Sequence, residues 1–214
     1  MVINYYGISC FKIQSGDTTL AIDPPSKNSG AKTPRFQSNI ALTTHDHPRH
    51  NGIDELGEKR GAPSFFLING PGEYETKGIR INGIKCFHDA ESGKKYGVNT
   101  AYVIEIENTR ICHLGDFGEE KLRAQTKEKI GKIDILLLPI GGETVAGPEK
   151  SVEIINALGP NIVVPMHYEN KKLKEFLKEF GEESLKPVEK LTVKKKDISD
   201  GEKVKIVVLE SNIK

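Results

Sequence analysis

Three histidines fall within six residues of the chain, in the segment His45-Asp46-His47-Pro48-Arg49-His50. Neutral imidazole nitrogen is a ligand that suits zinc, iron and manganese, and such crowding is hard to explain by core packing. The segment therefore predicts a metal-binding loop, with solvated or core histidines as the ordinary alternative.

The residues around these histidines predict a loop at the end of a strand. The apolar run 40–44 precedes them directly, and Pro48 and Asn51-Gly52 interrupt regular structure after it. A helix would direct residues two apart to different faces, so His45 and His47 can converge only from a strand end or a loop. We therefore expect His45, His47 and His50 to approach a common centre.

A second polar group follows the predicted strand 109–112, in the segment His113-Leu114-Gly115-Asp116-Phe117-Gly118. A carboxylate at this point can complete or bridge a metal site whose other ligands are imidazoles. Taken alone, Asp116 is more typical of an ordinary turn aspartate. His88 and His167 also follow predicted strands, however, so we expect one rim of a sheet to collect all these candidates.

The composition excludes some classes of protein. The chain of 214 residues is long enough for a full hydrophobic core, and we expect a single domain spanning 1–214. Its 31 basic and 30 acidic residues give a net charge of +1, so no overall field attracts nucleic acid or an acidic membrane surface. Neither a signal peptide nor a run long enough to cross a bilayer is evident, which predicts a cytoplasmic protein without a membrane partner.

The three cysteines favour buried thiols over bridges or metal ligands. Cys10, Cys86 and Cys112 are an odd number, widely spaced, and each lies in an apolar run that is typical of a strand. This pattern argues against both a disulfide framework and a cysteine metal site.

The order of predicted elements indicates an α/β protein. Predicted strands cover 2–6, 9–14, 18–22, 40–44, 64–68, 73–75, 79–87, 99–106 and 109–113. Helices predicted at 118–130, 148–158 and 170–181 then alternate with strands at 134–140 and 161–166, and strands at 191–195 and 204–209 follow. Asn82-Gly83 is the clearest predicted hairpin turn, and Asn108 predicts another.

Taken in order, the motifs resemble the metallo-β-lactamase superfamily. The resemblance rests on Ile22-Asp23-Pro24, Thr44 to His50, His88, His113 to Asp116, Pro139 to Gly142 and Pro165 to Tyr168. Within that superfamily the motifs look most like the ascorbate-6-phosphate-lactonase-like metal-dependent hydrolases. The resemblance implies a four-layer αβ/βα sandwich, with the metal site at one edge of two facing sheets.

The resemblance also implies a role for each motif residue. A first ion would be held by His45, His47 and His88, and a second by His50, Asp116 and His167, with Asp116 bridging both. Asp23 would orient the loop from behind through hydrogen bonds. His113 is expected to do likewise, with direct ligation as the alternative.

One residue departs from the family pattern: Arg49 stands where the HxHxDH motif has its aspartate. A guanidinium has no lone pair and keeps its charge in proteins, so it would repel a second dication and pair with Asp116. We therefore predict one bound ion rather than two, with zinc preferred and manganese or iron as alternatives. The other interpretation is that Arg49 points outward and a weaker second site persists.

These residues predict a hydrolase that uses a metal-activated water on an ester, a lactone or a phosphorylated small molecule. Asp116, Arg49 and His50 are the candidate catalytic residues, while the nearby residues Glu73, Asp89 and Tyr168 are weaker candidates for proton transfer or substrate contact.

Two other functions stay open at this point. A nuclease or phosphodiesterase would contact nucleic acid through Lys171 to Lys174 and Lys194 to Lys196, although solvated faces explain both runs more simply. A catalytically impaired binding scaffold is suggested by Arg49 alone. A small-molecule substrate is thus the favoured partner, nucleic acid is the alternative, and a homo-oligomer is compatible with the sequence.

Overall fold

The computed structural model describes residues 1–58, 65–198 and 203–212, and their secondary structure is mostly strand. In chain order the strands are β1 (Val2–Tyr5), β2 (Phe11–Ser15), β3 (Thr18–Ile22), β4 (Gln37–Ser38), β5 (Ile40–Leu42), β6 (Gly57–Glu58), β7 (Phe66–Ile68), β8 (Gly72–Thr76), β9 (Ile79–Phe87), β10 (Val98–Ile106), β11 (Thr109–His113), β12 (Ile135–Pro139), β13 (Ile162–Met166), β14 (Leu191–Thr192) and β15 (Lys205–Ile206). The α-helices are α1 (Ala124–Ile130), α2 (Pro148–Leu158) and α3 (Asn170–Glu179).

Within the described residues, β4 and β6 pair with each other, and the other strands form two large mixed sheets that face each other. The first has the order β14-β1-β2-β3-β5-β7 and the second the order β15-β13-β12-β11-β10-β9-β8. The inner faces share a core that includes Phe11, Leu20, Tyr102 and Leu137. This is the central pair of layers in the αβ/βα sandwich that the family resemblance implies.

The helices cover the outer face of the second sheet. Their apolar residues Ile130, Ile154 and Phe176 pack with Cys112 and Leu136 in a second core. Strands β12 and β13 are buried along their whole length, as expected for parallel strands with a packed layer on each side. Outside the first sheet, Ala21, Ala41 and Leu56 pack with partly buried phenylalanines from loops and with Ile53 of the 3-10 turn Ile53–Glu55.

Most predicted elements are confirmed with small changes at their ends. Helix α2 has the predicted bounds, beginning at Pro148 and ending before Gly159, whose φ of 57° gives a left-handed end to the helix. The predicted strands 191–195 and 204–209 are each reduced to a pair of residues. Residue 64 of the predicted strand 64–68 lies outside the described residues.

Two local predictions are wrong. Asn82-Gly83 is not a turn but the middle of β9, paired with β8 on one side and β10 on the other. Its glycine permits close packing instead, because a Cβ on Gly83 would lie 2.6 Å from the carbonyl oxygen of Gly70. Helix α1 begins only at Ala124, since the preceding Glu119 reaches back to the backbone N–H of Phe87 at 2.9 Å.

The turn predicted at Asn108 is confirmed. Glu107 and Asn108 have φ of 50° and 58° and join the antiparallel strands β10 and β11, as a two-residue hairpin loop requires. The three cysteines are buried free thiols, as predicted. No helix in the described ranges has both the length and the apolar character needed to cross a bilayer.

Candidate metal centre

The predicted ligands meet at one edge of the sandwich because each follows the carboxyl end of a strand. His45, His47 and His50 lie in the loop after β5 of the first sheet, whereas His88, Asp116 and His167 follow β9, β11 and β13 of the second. Three subsets have side-chain donor atoms within 4.8 Å of one another, namely His45 with His47 and His50, His45 with His88 and Asp116, and His50 with Asp116 and His167.

Asp116 is the centre of this cluster. Its Oδ2 lies 3.3 Å from Nε2 of both His50 and His167, 3.4 Å from Nε2 of His88 and 3.9 Å from Nε2 of His45. Burial would raise the pKa of Asp116, but the charges and hydrogen bonds of His50 and His167 hold it well below the usual value. Asp116 is therefore an anion shared by four imidazoles.

Some buried donor atoms of the cluster have no protein partner. Among the described residues, Nε2 of His45, Nε2 of His88 and Oδ1 of Asp116 are buried without a hydrogen bond. Unpaired buried polar atoms are costly and normally have an explanation, and two imidazole nitrogens with one carboxylate oxygen match the donors of a zinc site. The residues present thus fit a divalent metal ion.

The hydrogen bonds of Asp23 confirm that it supports the metal loop from behind, as the resemblance implies. Its carboxylate accepts hydrogen bonds from the backbone N–H of Thr44 at 2.7 Å and from the Thr44 hydroxyl at 2.8 Å, and its Oδ2 lies 3.1 Å from Nδ1 of His50. The Thr44 hydroxyl, having donated its hydrogen to Asp23, accepts from Nδ1 of His45 at 3.1 Å. One carboxylate therefore places hydrogen on Nδ1 of both His45 and His50 and leaves their Nε2 atoms toward Asp116.

The two imidazoles oriented by Asp23 differ in charge. Burial, and then the charge of His50, lower the pKa of His45 to about 4, which keeps His45 neutral. Burial also lowers the pKa of His50, but the charges of Asp116 and Asp23 outweigh it and raise the pKa to about 10. His45 is thus ready to bind metal at neutral pH, whereas His50 must first lose a proton.

His113 supports the site and does not face it. Its Nε2 donates to the carbonyl oxygen of Ser9 at 2.9 Å, and its Nδ1 accepts from the backbone N–H of Gly115 at 3.0 Å. Both nitrogens are occupied, so direct metal ligation by His113 is excluded in this conformation.

Arg49 does not make the predicted ion pair with Asp116. Its side chain is exposed, and the described residues include no ion pair between Arg49 and Asp116. Arg49 instead lines a cavity of about 480 Å³ that His167 also lines. The short loop from His47 to His50 sets this direction, with the backbone N–H of Arg49 donating to Nδ1 of His47 at 3.3 Å.

The weaker candidates lie in different surroundings. Asp89 accepts four backbone N–H groups of the loop that follows it, from Glu91, Gly93, Lys95 and Tyr96, so its role in the structure is to shape that loop. Glu73 is exposed on β8, beside a groove that contains none of the candidate ligands. Tyr168 lines the cavity beside His167 and stays a candidate for substrate contact.

Sequence reasoning missed Asn99, which holds the loop of Asp116. Its Oδ1 accepts the backbone N–H of Asp116 at 3.0 Å, and its Nδ2 donates to the carbonyl oxygen of Leu114 at 2.8 Å. The sequence offered one signal for this role, because Asn99 is an amide residue within a mostly apolar predicted strand. Tyr96, whose ring centroid lies 5.1 Å from that of His88, was also missed.

Three residues around the centre carry backbone strain. Ile8, Asp23 and His167 have φ of 55°, 47° and 52°, a conformation that costs a side-chain-bearing residue about 1–2 kcal/mol. The carbonyl oxygen of Ile8 accepts hydrogen bonds from the Tyr5 hydroxyl at 2.9 Å and from the backbone N–H of His167 at 2.6 Å. Such strain persists where the surrounding structure fixes the backbone, which is typical of functional sites.

Close backbone contacts also fix His88 and His167. A Cβ on Gly118 would lie 2.4 Å from the carbonyl oxygen of His88, and a Cβ on Gly141 would lie 2.3 Å from that of His167. Each ligand is therefore held against a neighbouring loop at a distance that only glycine allows.

We expect Gly141→Ala to weaken metal binding, because the added methyl group must displace the backbone of His167. Changes that misplace a metal ligand typically cost about 10–100-fold in affinity, and a loss in this range is expected. Competition with a chromophoric chelator measures it. Gly70→Ala is the matched control, since a Cβ there meets nothing within 4 Å. Equal affinities for the two variants would contradict the positioning role of Gly141.

Comparisons with known proteins agree with this fold and show the family of the chain. A family model described as the beta-lactamase superfamily domain matches residues 2–167. A UPF0173 metal-dependent hydrolase of Lysinibacillus sphaericus is 32% identical over 201 residues, covering 78% of this chain and 85% of that protein. Another, from Thermococcus onnurineus, is 31% identical over 189 residues, covering 78% and 84%. A solved structure from Thermotoga maritima, a candidate zinc-dependent hydrolase of the metallo-β-lactamase superfamily, is 29% identical with a TM-score of 0.77 over 97% of each chain.

Proposed function

The chain belongs to the UPF0173 metal-dependent hydrolases of the metallo-β-lactamase superfamily, and we propose that it hydrolyses an ester, a lactone or a phosphorylated small molecule. The observation that carries this proposal is the set of buried, unpartnered donor atoms on His45, His88 and Asp116. The sequence motifs support placing the chain in the lactonase-like branch, in which small molecules rather than polymers are the substrates.

The chemistry of the proposal is metal-assisted hydrolysis. A bound divalent ion lowers the pKa of water toward 7 and polarises the attacked carbonyl or phosphoryl group. Asp116 Oδ1, which has no hydrogen bond among the described residues, is one of the atoms that would hold this ion. Arg49, at the cavity beside His167, is available to a substrate.

We further propose that the two groups of ligands bind metal unequally. His45, His88 and Asp116 offer the unpartnered atoms and form the tighter site, which suits zinc. His50, Asp116 and His167 form the weaker site, because Nε2 of both His50 and His167 already pairs with Asp116 Oδ2 at 3.3 Å. We therefore expect one tightly bound ion, as the sequence predicts. The weaker binding of a second ion is attributed to His50 and His167 and not to an ion pair between Arg49 and Asp116.

The test is metal analysis combined with metal removal. We expect about one zinc equivalent per chain after dialysis, loss of ester or lactone hydrolysis on chelation and recovery on adding zinc. Arg49→Asp, which restores the carboxylate of the family motif, should raise the retained metal toward two equivalents. Retention of two tight equivalents by the unmodified chain would contradict unequal binding, and hydrolysis that survives complete metal removal would contradict the proposed function.

The lysine runs do not favour a nuclease. Lys195 is bonded to Asp134 Oδ1 at 2.7 Å, and Lys172 is bonded to Glu175 at 2.9 Å. Lys171 and Lys172 do line the cavity beside His167, which places positive charge near a small-molecule site.

A further inference from the structure

The cavity beside His167 contains positive charges that the metal centre itself does not use. Arg49, Lys171 and Lys172 all line it, together with His167. Its remaining charged residues are Glu143 and Glu169, both of which are exposed. Since Lys172 is already bonded to Glu175, Arg49 and Lys171 are the cations most available to a ligand.

Arg49 is coupled to the metal loop as well as to the cavity. Its backbone N–H donates to Nδ1 of His47 at 3.3 Å, which ties Arg49 to the metal loop. The described carboxylates include none in an ion pair with it. A planar guanidinium presents parallel donors that match the two oxygens of a carboxylate or phosphate.

We propose that Arg49, with Lys171, is the receptor for an oxyanion on the substrate. The inference rests on the proposed function: the scissile group lies at the cluster around Asp116, and a tail ending in a carboxylate or phosphate extends into the cavity. Ile8, Val145 and Tyr168 supply apolar surface for the part of the tail between the reacting group and the anion. The position that the family motif gives to a metal-binding carboxylate thus sets substrate specificity in this chain.

The first test compares two esters that share a leaving group. Para-nitrophenyl butyrate is neutral, whereas para-nitrophenyl hydrogen succinate carries a carboxylate at the end of its acyl tail. We expect the zinc-loaded protein to prefer the succinate ester in kcat/KM, and Arg49→Gln to reduce this preference by about tenfold. Arg49→Lys, which keeps the charge but loses the paired donors, should give an intermediate ratio.

Two further variants control this comparison. Lys174→Gln removes an exposed charge from the same helix outside the cavity and should leave the ratio of the two esters unchanged. Lys171→Gln lies outside the metal loop and should lower the ratio, so the proposal stays testable if Arg49→Gln loses metal. A ratio that stays the same in both Arg49→Gln and Lys171→Gln would overturn the proposal.

A binding measurement separates this inference from the proposed function. Isothermal titration of the zinc-loaded protein with succinate and with glycerol 3-phosphate needs no turnover, and it distinguishes the carboxylate from the phosphate. We expect at least one of the two to bind about tenfold more weakly to Arg49→Gln than to Lys174→Gln. If neither ester is hydrolysed but this difference is seen, the anion receptor stands and ester hydrolysis fails. If neither ligand shows the difference, the receptor is overturned whatever the turnover.

Discussion

Asp116→Asn should reduce hydrolysis by about 10³-fold, the largest effect expected of any single substitution in this chain. Its carboxylate is the only anion within reach of four imidazole groups of the described cluster, with Oδ2 between 3.3 and 3.9 Å from each Nε2. A carboxamide has no charge and one oxygen, so both groups of metal ligands lose their shared member. Retained zinc should therefore fall together with the rate.

Three quantities should be measured for Asp116→Asn and for the unmodified protein. They are kcat/KM for para-nitrophenyl butyrate, zinc per chain after dialysis, and the circular dichroism spectrum. Glu120→Gln makes the same chemical change at an exposed position a few residues away and should keep both rate and zinc. A folded Asp116→Asn protein that retained its zinc and its rate within about tenfold of wild type would remove Asp116 from the centre of the mechanism.

Asp23→Asn should lower the free energy of unfolding of the metal-free protein by about 3–5 kcal/mol, the range for removing one partner of a buried ion pair. Asp23 is fully buried, and His50 is left as a buried cation when its partner is lost. The amide also cannot accept all the hydrogen bonds that now orient Thr44 and His50. Urea denaturation at neutral pH measures the difference, with the exposed Asp54→Asn as control.

The pH dependence distinguishes this ion pair from simple packing. Burial raises the pKa of Asp23, but the charge and hydrogen bond of His50 outweigh it and leave the pKa lowered. A group with a lowered pKa in the fold stabilises it above the unfolded pKa, about 4, and this contribution is lost as the pH falls through the folded value. The deficit of Asp23→Asn should therefore shrink in acid. An equal deficit at pH 7 and about pH 3 would show that the ion pair is not its cause.

The position of the ligands could be predicted from the sequence because strand ends leave clear local signals. Apolar runs that stop at His45, His88 and His167 indicate where a strand ends, and residues at that point lie near the rim of the sheet. The hydrogen bonds that orient the ligands were harder to predict from the sequence. The hydrogen bonds from Asp23 through Thr44 to His45 join segments that only the fold brings together, and Asp23 could be assigned only through the family resemblance.

The failures have the same physical origin. Asn82-Gly83 has the composition of a turn, yet its glycine is needed where the Gly70 carbonyl approaches, a contact that no local pattern records. Arg49 was expected to turn toward the nearest acid. Its direction depends instead on the tight loop between His47 and His50, in which the backbone N–H groups of Arg49 and His50 both bond back to His47.

The division of the ligands between the two sheets has a consequence for how the centre is assembled. His45, His47 and His50 belong to the sheet built mainly from the N-terminal part of the chain, and His88, Asp116 and His167 belong to the other. Each of the two proposed sites takes ligands from both sheets, so both sites form only once the sheets have docked. A metal ion bound there would cross-link residues as far apart in sequence as 45 and 167. It would therefore stabilise the docked pair of sheets against unfolding, as a disulfide stabilises a secreted protein.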